Sequence, residues 1–547
     1  MTLRIISLSS PLFLIPICGE SSAKMRSLQF AIQHLMVSAK KAESAPDFDF
    51  VDHHTFQMFD PPYPPWDPTD TKSFSYDTLI RRWPVILTSI IDNLYRMGHD
   101  LATQPHELSP IVAEERIAAA KGIIEKISKL KYEMGREKPL LVSGRPLADD
   151  GEPSIGLYNQ ELAALEAQGK GTWFTAPWLF AECYLYRLVR SYFIESKALE
   201  NYDPFVSQKI DTFQKSGNGV YQLASTMHEI EVEKGNLISD PTKLSVLFKE
   251  MIQMCLWGNA TDLSLLTHMT VEDIGRLQSV GREAQESRKQ FILHDDQEAV
   301  WSHVQTLKDA RVDIVLDNSG FELFTDLVLA DFLVTYTPYF SKAVFHPKLI
   351  PWFVSDVTPP DFLATFSSLL DPSFFGSVPS EEAKEHLKAM ATRWSNYITD
   401  GTFRLSVPTD TPLGGKGGVG RSAEFWTTPY PYWDMQERDQ ELWKDLRNSS
   451  LVIFKGDLNY RKLTGDIRWP ASTPFERAIG PLAGSFPILS LRTNKADVVV
   501  GVDQGVADEL DEADNRKWRY DGRYALISFV PKTFSRPLHM DEMSYEV

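Results

Sequence analysis

Apolar residues recur at helical spacing through the first half of the chain. TLIRRWPVILTSIIDNLYRM (78–97) carries them in this way, and Pro84 within it must sit near a helix start or a kink. EERIAAAKGIIEKISKLKYEM (114–134) predicts an amphipathic helix. WLFAECYLYRLVRSYFI (178–194) is apolar enough to predict a helix that is mostly buried. Helical patterning dominates from about residue 76 to 300, after a proline- and aspartate-rich lead-in that includes PDFDFVDHH and DPPYPPWDPTDT.

The texture changes near residue 311. RVDIVLDNSG (311–320) is a short apolar run ending in a polar turn, and FELFTDLVLADFLVTY (321–336) returns to helical period. KAVFHPKLIPWFVSD (342–356), SLVIFKGDLNY (450–460) and PILSLRTNKADVVVGV (487–502) repeat the theme of an apolar strand followed by polar residues. Strands alternating with helices predict an α/β core on a largely parallel sheet, where ligands bind beyond the carboxyl ends of the strands. DNSGFE (317–322), Ser355-Asp356 and KGDLNYR (455–461) fall at that edge. TPLGGKGGVGRS (411–422) reads as a surface insertion. The expected organisation is an N-terminal extension (1–60), a mainly helical part (61–300) and an α/β catalytic core (301–547).

Composition and charge narrow the partners. The chain has 547 residues, enough for a large core with a helical annex, and a formal net charge of -18. Such a surface repels nucleic acid and acidic membranes. It also repels phosphorylated ligands at long range, so any phosphate site must be locally positive. The three cysteines, Cys18, Cys183 and Cys255, show no CxxC spacing, which argues against a disulfide framework or a structural zinc and for a reducing compartment. Residues 1–24 resemble a signal peptide, yet Pro11 and Pro16 interrupt the apolar run and it is too short to span a bilayer. A cytoplasmic location without stable membrane insertion is expected, with secretory entry as the alternative. The sequence indicates no oligomeric state.

Few residues have the pattern that chemistry needs. Asp317 and Asn318 follow the strand-like VDIVL and offer hard oxygen ligands for a divalent ion; Gly320 permits a tight turn into the next helix. In isolation the same pair also reads as turn or helix-cap chemistry. Asp356 ends the strand-like PWFVSD and could join them if the two strands are neighbours. In KGDLNYRKL (455–463), Lys455, Arg461 and Lys462 supply cations within one turn region, Gly456 allows close backbone approach and Asn459 adds a neutral donor. Lys495 in RTNK (492–495) could act as a point charge on a phosphate. KGGVGRS (416–422) lacks the lysine and the preceding strand of a phosphate-binding loop, and Ser319 stands where a haloacid-dehalogenase phosphatase needs its second aspartate. His53-His54 reads as surface, and His346 as a core histidine.

Seven ordered segments together resemble the metal-dependent damage-control phosphatases, in their sugar-phosphate branch, also called the acidic-residue methyltransferase family. They are WLFAECYLYR (178–187), LWGNATDLSLL (256–266), DNSGFELFTDLVLADFL (317–333), PWFVSDVTPPDF (351–362), FWTTPYPYW (425–433), FKGDLNYRKLTGD (454–466) and RTNKAD (492–497). The resemblance covers about residues 61 to 535 and implies a three-layer α/β/α core with a helical N-terminal part. It implies Asp317, Asn318 and Asp356 as metal ligands; Asp457, Leu458, Asn459, Tyr460 and Arg461 as a substrate-contacting loop; and Lys495 at the phosphate. Glu322 matches the acidic position of DNxGxE. The implied activity is phosphate release from small phosphorylated metabolites such as fructose 1-phosphate and fructose 6-phosphate, with Mn2+ or Ni2+ first, and Co2+ or Mg2+ also possible.

On that basis Asp317 or Asp356 would orient the attacking water or act as nucleophile, and Asp457 or Glu322 would supply the proton to the leaving oxygen. Asp317, Asn318, Lys495 and the 457–461 loop would contact substrate. Two other classes stay open at this stage. One is a protein carboxyl methyltransferase using S-adenosylmethionine, although DNSGFE has one glycine where such a cofactor fold favours several. The other is a scaffold whose metal is structural.

Overall fold

The computed structural model describes residues 59–533, apart from 142–145, 153, 259–288, 377 and 416–417. The signal-like run 1–24, Cys18, His53-His54, and most of LWGNATDLSLL lie outside the described residues. Seven strands among the described residues form one sheet: β1 (Ile292–Asp295), β2 (Ala310–Val315), β3 (Phe340–His346), β4 (Phe403–Leu405), β5 (Leu451–Lys455), β6 (Ile488–Thr493) and β7 (Ala525–Val530). Their order is β1-β7-β6-β5-β2-β3-β4. The run β6-β5-β2-β3-β4 is parallel; β7 lies antiparallel to β6, and β1 parallel to β7.

The chain leaves the central β2 in one direction, through β3 to β4, then returns to the other side of β2 for β5 and β6. The loops beyond the carboxyl ends of β2 and β5 therefore diverge, and a crevice opens between them. Val315 pairs with Phe454 across that boundary, so Asp317 and the 456–461 stretch emerge side by side. β2 and β5 are buried along nearly their whole length and apolar except for Arg311, Asp313 and Lys455, as suits strands covered on both faces.

The helix Phe321–Tyr336 is buried at almost every position; apolar residues lie on all its faces, and the acids Glu322, Asp326 and Asp331 are buried with them. It packs against β3 and against the helices Gly217–Ile238 and Pro241–Gly258. Trp178–Ser196 is buried from Trp178 to Ile194. Pro84 follows directly on a π-helical turn, Thr78–Arg82, inside a helical stretch that runs on as Trp83–Thr103, so its missing N–H falls at an irregularity of the ladder, the kink that the sequence allows. The apolar core is continuous from Phe74 to Val530 and runs across residue 300, and β1 falls within the stretch expected to be mainly helical. No helix among the described residues is long and apolar enough to cross a membrane.

Two local expectations are corrected. The 342–356 run is not one strand: β3 stops at His346, and Pro347 and Pro351, which lack an N–H, cannot extend the ladder. Asp356 therefore sits in an irregular loop rather than at a strand tip. The start of the glycine-rich stretch is not a loose insertion, since Gly414 N donates to Leu349 O (2.7 Å) and Arg190 Nη2 donates to Leu413 O (3.2 Å). His346 is fully buried, with Nε2 at 2.8 Å from Asp313 Oδ1 on the neighbouring strand.

Candidate active site

Two glycines make the site's two turns. Gly320 (φ 72°, ψ -126°) caps the helix after β2, and Gly456 (φ 80°) begins the helix Gly456–Thr464 after β5. A side chain is strained in either conformation, so strand and helix can follow each other this closely only with glycine there. The first turn carries Asp317 and Asn318, and the second carries Asp457 and Leu458.

Asp356 reaches the first turn through the 347–356 loop. An isolated antiparallel bridge joins Asn318 to Asp356; Ser319 N donates to Ser355 O (2.7 Å) and Val357 N to Asp317 O (2.8 Å). Phe353 (φ 43°) and Val354 (φ 72°) both adopt left-handed backbone, a costly conformation for bulky residues, held here by the packing of Phe353 on Tyr186 (4.9 Å between centroids). Lys209 supports the loop from behind, with Nζ at 3.1 Å from Asp356 O, 2.8 Å from Asp203 and 2.7 Å from Asp361. Asp317, Asn318 and Asp356 are thus brought together, and each is at least 97% buried.

Beneath them lies a buried charge cluster. Asn318 Nδ2 donates to Glu322 Oε2 (2.7 Å), and Lys455 Nζ donates to Glu322 Oε1 (3.0 Å) and Asp326 Oδ1 (2.7 Å). Because the amide NH2 faces a carboxylate, the Asn318 oxygen faces the other way, where it accepts from Ser355 Oγ at 2.6 Å. Glu322 is buried below the turn and does not line the pocket.

A pocket of about 330 Å³, counted out to its open mouth, holds Asp317, Asp356, Asp457, Leu458, Arg461 and Lys495 in its wall. Asp457 Oδ1 accepts from Arg492 Nε (2.7 Å) and from Lys495 N (3.0 Å), which ties the helix after β5 to the loop after β6. Asn459 and Tyr460 turn inward instead. Asn459 Nδ2 donates to Lys455 O (2.7 Å) and Leu316 O (3.1 Å), bracing β5 against β2, and Tyr460 stacks on Phe475 with its hydroxyl accepting from Val500 N at 3.0 Å. The cations are distributed unevenly. Arg461 reaches the pocket paired with Glu182 (2.7 Å) and Asp466 (3.1 Å) and stacked on Trp178 at 3.7 Å, whereas Lys462 points to Thr428 O at 2.6 Å.

Pattern reading missed Lys348, Arg82, Glu182, Trp178, Phe353 and Arg492. Lys348 Nζ donates to Leu316 O (2.8 Å) and stands 3.6 Å from Asp356 Oδ2 with no exposure; burial pushes its pKa below the ordinary lysine value, against the pull of Asp356 and Asp317. The available signal was a charged residue inside an apolar run, as in VFHPKLIPWF and WLFAECYLYR.

The donor set suits a hard divalent ion. Asp317, Asp356 and the Asn318 carbonyl offer oxygen donors at one loop junction, Asp317 and Asp356 in the pocket wall and Asn318 behind it, and Glu322 fixes the orientation of the amide. Among the described residues no cluster of three or more His, Cys, Asp or Glu side chains is arranged for a metal.

An α/β enzyme with a pocket lined by both carboxylates and cations at the crevice of a largely parallel sheet is the class these features define. The damage-control phosphatase ARMT1-like domain matches residues 78–510. Damage-control phosphatase ARMT1 of Danio rerio is 34% identical over 470 residues, covering 84% of this chain and 94% of its own; the Homo sapiens protein of that name is 32% identical over 468 residues, covering 84% and 97%. A solved DUF89 family protein from Pyrococcus horikoshii aligns over 81% of this chain and 96% of its own, at 14% identity and a TM-score of 0.33. The chain belongs to the damage-control phosphatase ARMT1-like family and is a phosphatase, in a family that depends on divalent metal.

Proposed function

We propose that this phosphatase hydrolyses sugar phosphates, with fructose 1-phosphate and fructose 6-phosphate representing its substrate class. The observation that carries the reading is one pocket wall combining Asp317 and Asp356 with Lys495, Arg461 and the start of the helix after β5. Asp317, Asp356 and Asn318 would hold the divalent ion, with Mn2+ or Ni2+ as the first candidates. When bound, that ion supplies Lewis-acid polarisation of a phosphoryl oxygen and neutralises charge.

The chain's own groups do the rest. Lys495 and Arg461 bind phosphoryl oxygens, aided by the helix N-terminus at Gly456–Asp457. Asp317 or Asp356 holds the attacking oxygen in line, and Asp457, which accepts from Arg492 Nε and Lys495 N, holds the Lys495 loop at the pocket wall beside the leaving sugar oxygen. Glu322, being below the turn, serves by orienting Asn318. Methyl transfer from S-adenosylmethionine has less support, because the similar proteins carry phosphatase names. Phosphate release should be screened over phosphorylated metabolites with each divalent ion, alongside methyl transfer by the same preparation. Methyl transfer without phosphate release would overturn the reading.

A further inference from the structure

Arg82 lies in the helical part of the chain, outside every segment that suggested chemistry, yet it lines the same pocket as Asp317, Asp356, Asp457 and Lys495. Charge explains why this matters. Three cations line this wall, Arg82, Arg461 and Lys495. A phosphate monoester dianion is best met by more than one cation. A guanidinium also matches the paired oxygens of a phosphoryl group, which an ammonium cannot do.

The placement of Arg82 is built in from several directions. It ends a five-residue π-helical turn, Thr78–Arg82, a local irregularity that often marks functional positions. Its Nη1 donates to Thr78 Oγ1 (3.1 Å), and its guanidinium lies over the Phe74 ring at 5.1 Å. Phe74 in turn sets its ring edge-on to Trp178, the indole on which Arg461 stacks. The segment is also fastened to the phosphate loop: Asp497, two residues after Lys495, accepts from Phe74 N and Ser75 N, each at 3.1 Å. The adjacent Trp83 Nε1 donates to Glu182 Oε1 at 3.1 Å, and Glu182 holds Arg461.

We infer that Arg82 is a substrate-binding residue that contacts the phosphoryl oxygens, and that Asp497 is the positioning residue that holds its segment against the Lys495 loop. The substrate class rests on the phosphatase reading above, whereas the anion contact needs no turnover.

The test is calorimetric titration of orthophosphate into the full-length, Mn2+-supplemented chain, with steady-state kinetics on fructose 1-phosphate and p-nitrophenyl phosphate. Losing a charge-assisted contact should weaken orthophosphate roughly tenfold or more in Arg82→Met. Arg82→Lys, which keeps the stem and the charge, should weaken it less and carries the test if Arg82→Met does not fold. KM should rise by a similar factor for both esters, since they share only the phosphoryl group. Asp497→Asn should raise KM with kcat unchanged. Orthophosphate affinity unchanged in both Arg82 variants overturns the inference, as does a KM rise confined to the sugar phosphate, which would place Arg82 on the sugar. An Asp497→Asn chain with native KM and only a lower melting temperature removes the positioning role. A native chain that binds orthophosphate through Arg82 but releases none from any ester leaves the contact standing and ends the phosphatase reading.

Discussion

Lys455 and Glu322 meet at 3.0 Å, fully buried, where the strand-to-helix junctions after β5 and β2 come side by side. The pair joins the two halves of the crevice below the Asn318 amide. It also explains why a lysine expected at the phosphate is not in the pocket wall. Its ammonium is needed where Glu322 and Asp326 would otherwise leave two interior carboxylates uncompensated.

Removing that ammonium should be costly. Lys455→Met is expected to destabilise the chain by roughly 3–5 kcal/mol, the usual effect of stranding a buried charge. Burial already pushes the Asp326 carboxyl up to about 6, so neutralising it is the easier adjustment. Adding Asp326→Asn to Lys455→Met should recover part of the loss, making the pair non-additive in urea denaturation. Strict additivity would show that the two groups do not share one cluster.

Asp317→Ala should abolish divalent-dependent phosphate release while the chain stays folded. Loss of several kcal/mol of transition-state charge stabilisation corresponds to a fall of at least about 100-fold in rate. Circular dichroism checks the fold, and Mn2+-dependent thermal stabilisation should vanish together with activity. Full activity in this variant would remove Asp317 from the metal.

Lys495→Ala should mainly weaken phosphate affinity and transition-state stabilisation. A contact of about 1.5–3 kcal/mol predicts a loss in kcat/KM of roughly tenfold to 150-fold. Its backbone N–H to Asp457 is retained in the variant, so the loop should keep its course. Unchanged kinetics would exclude the side chain from the site.

Lys462 predicts a pH effect on stability. Burial lowers its pKa to about 8 in the folded chain, from an ordinary value of 10.5. Between these values the unfolded chain binds more protons, so the stability of the native chain rises with pH through that window. Relative to Lys462→Met, the native chain should gain about 2–3 kcal/mol between pH 7.5 and 10, because each pKa unit is worth about 1.4 kcal/mol. Parallel urea titrations of the two chains measure it, and a difference that is flat with pH would mean the ammonium is better solvated than its burial implies.

Much of the architecture was legible in the sequence because hydrophobic period reports which faces are covered. The helix at 321–336, the strands β2, β5 and β6, and the Asp317-Asn318 turn with its glycine all follow from local pattern. The partners of those faces do not. Asp356 looked like a strand end because an apolar run continued past His346, and only the prolines and the bridge to Asn318 explain its place. A charged residue in a sequence carries no mark of whether it faces water or a buried counter-charge. For Lys348 and Glu182 the apolar runs around them signal burial but not a role, Arg82 lacks even that signal, and Lys455, Asn459 and Tyr460 were expected at a pocket wall that their side chains do not form. The sequence by itself determined the order of elements and which turns must be glycine, since φ/ψ limits and 2.0- or 3.6-residue periods act locally. Which cations face the crevice was decided only by the tertiary structure, because the pairing of charges depends on distant segments, as between Glu182 and Arg461, 279 residues apart.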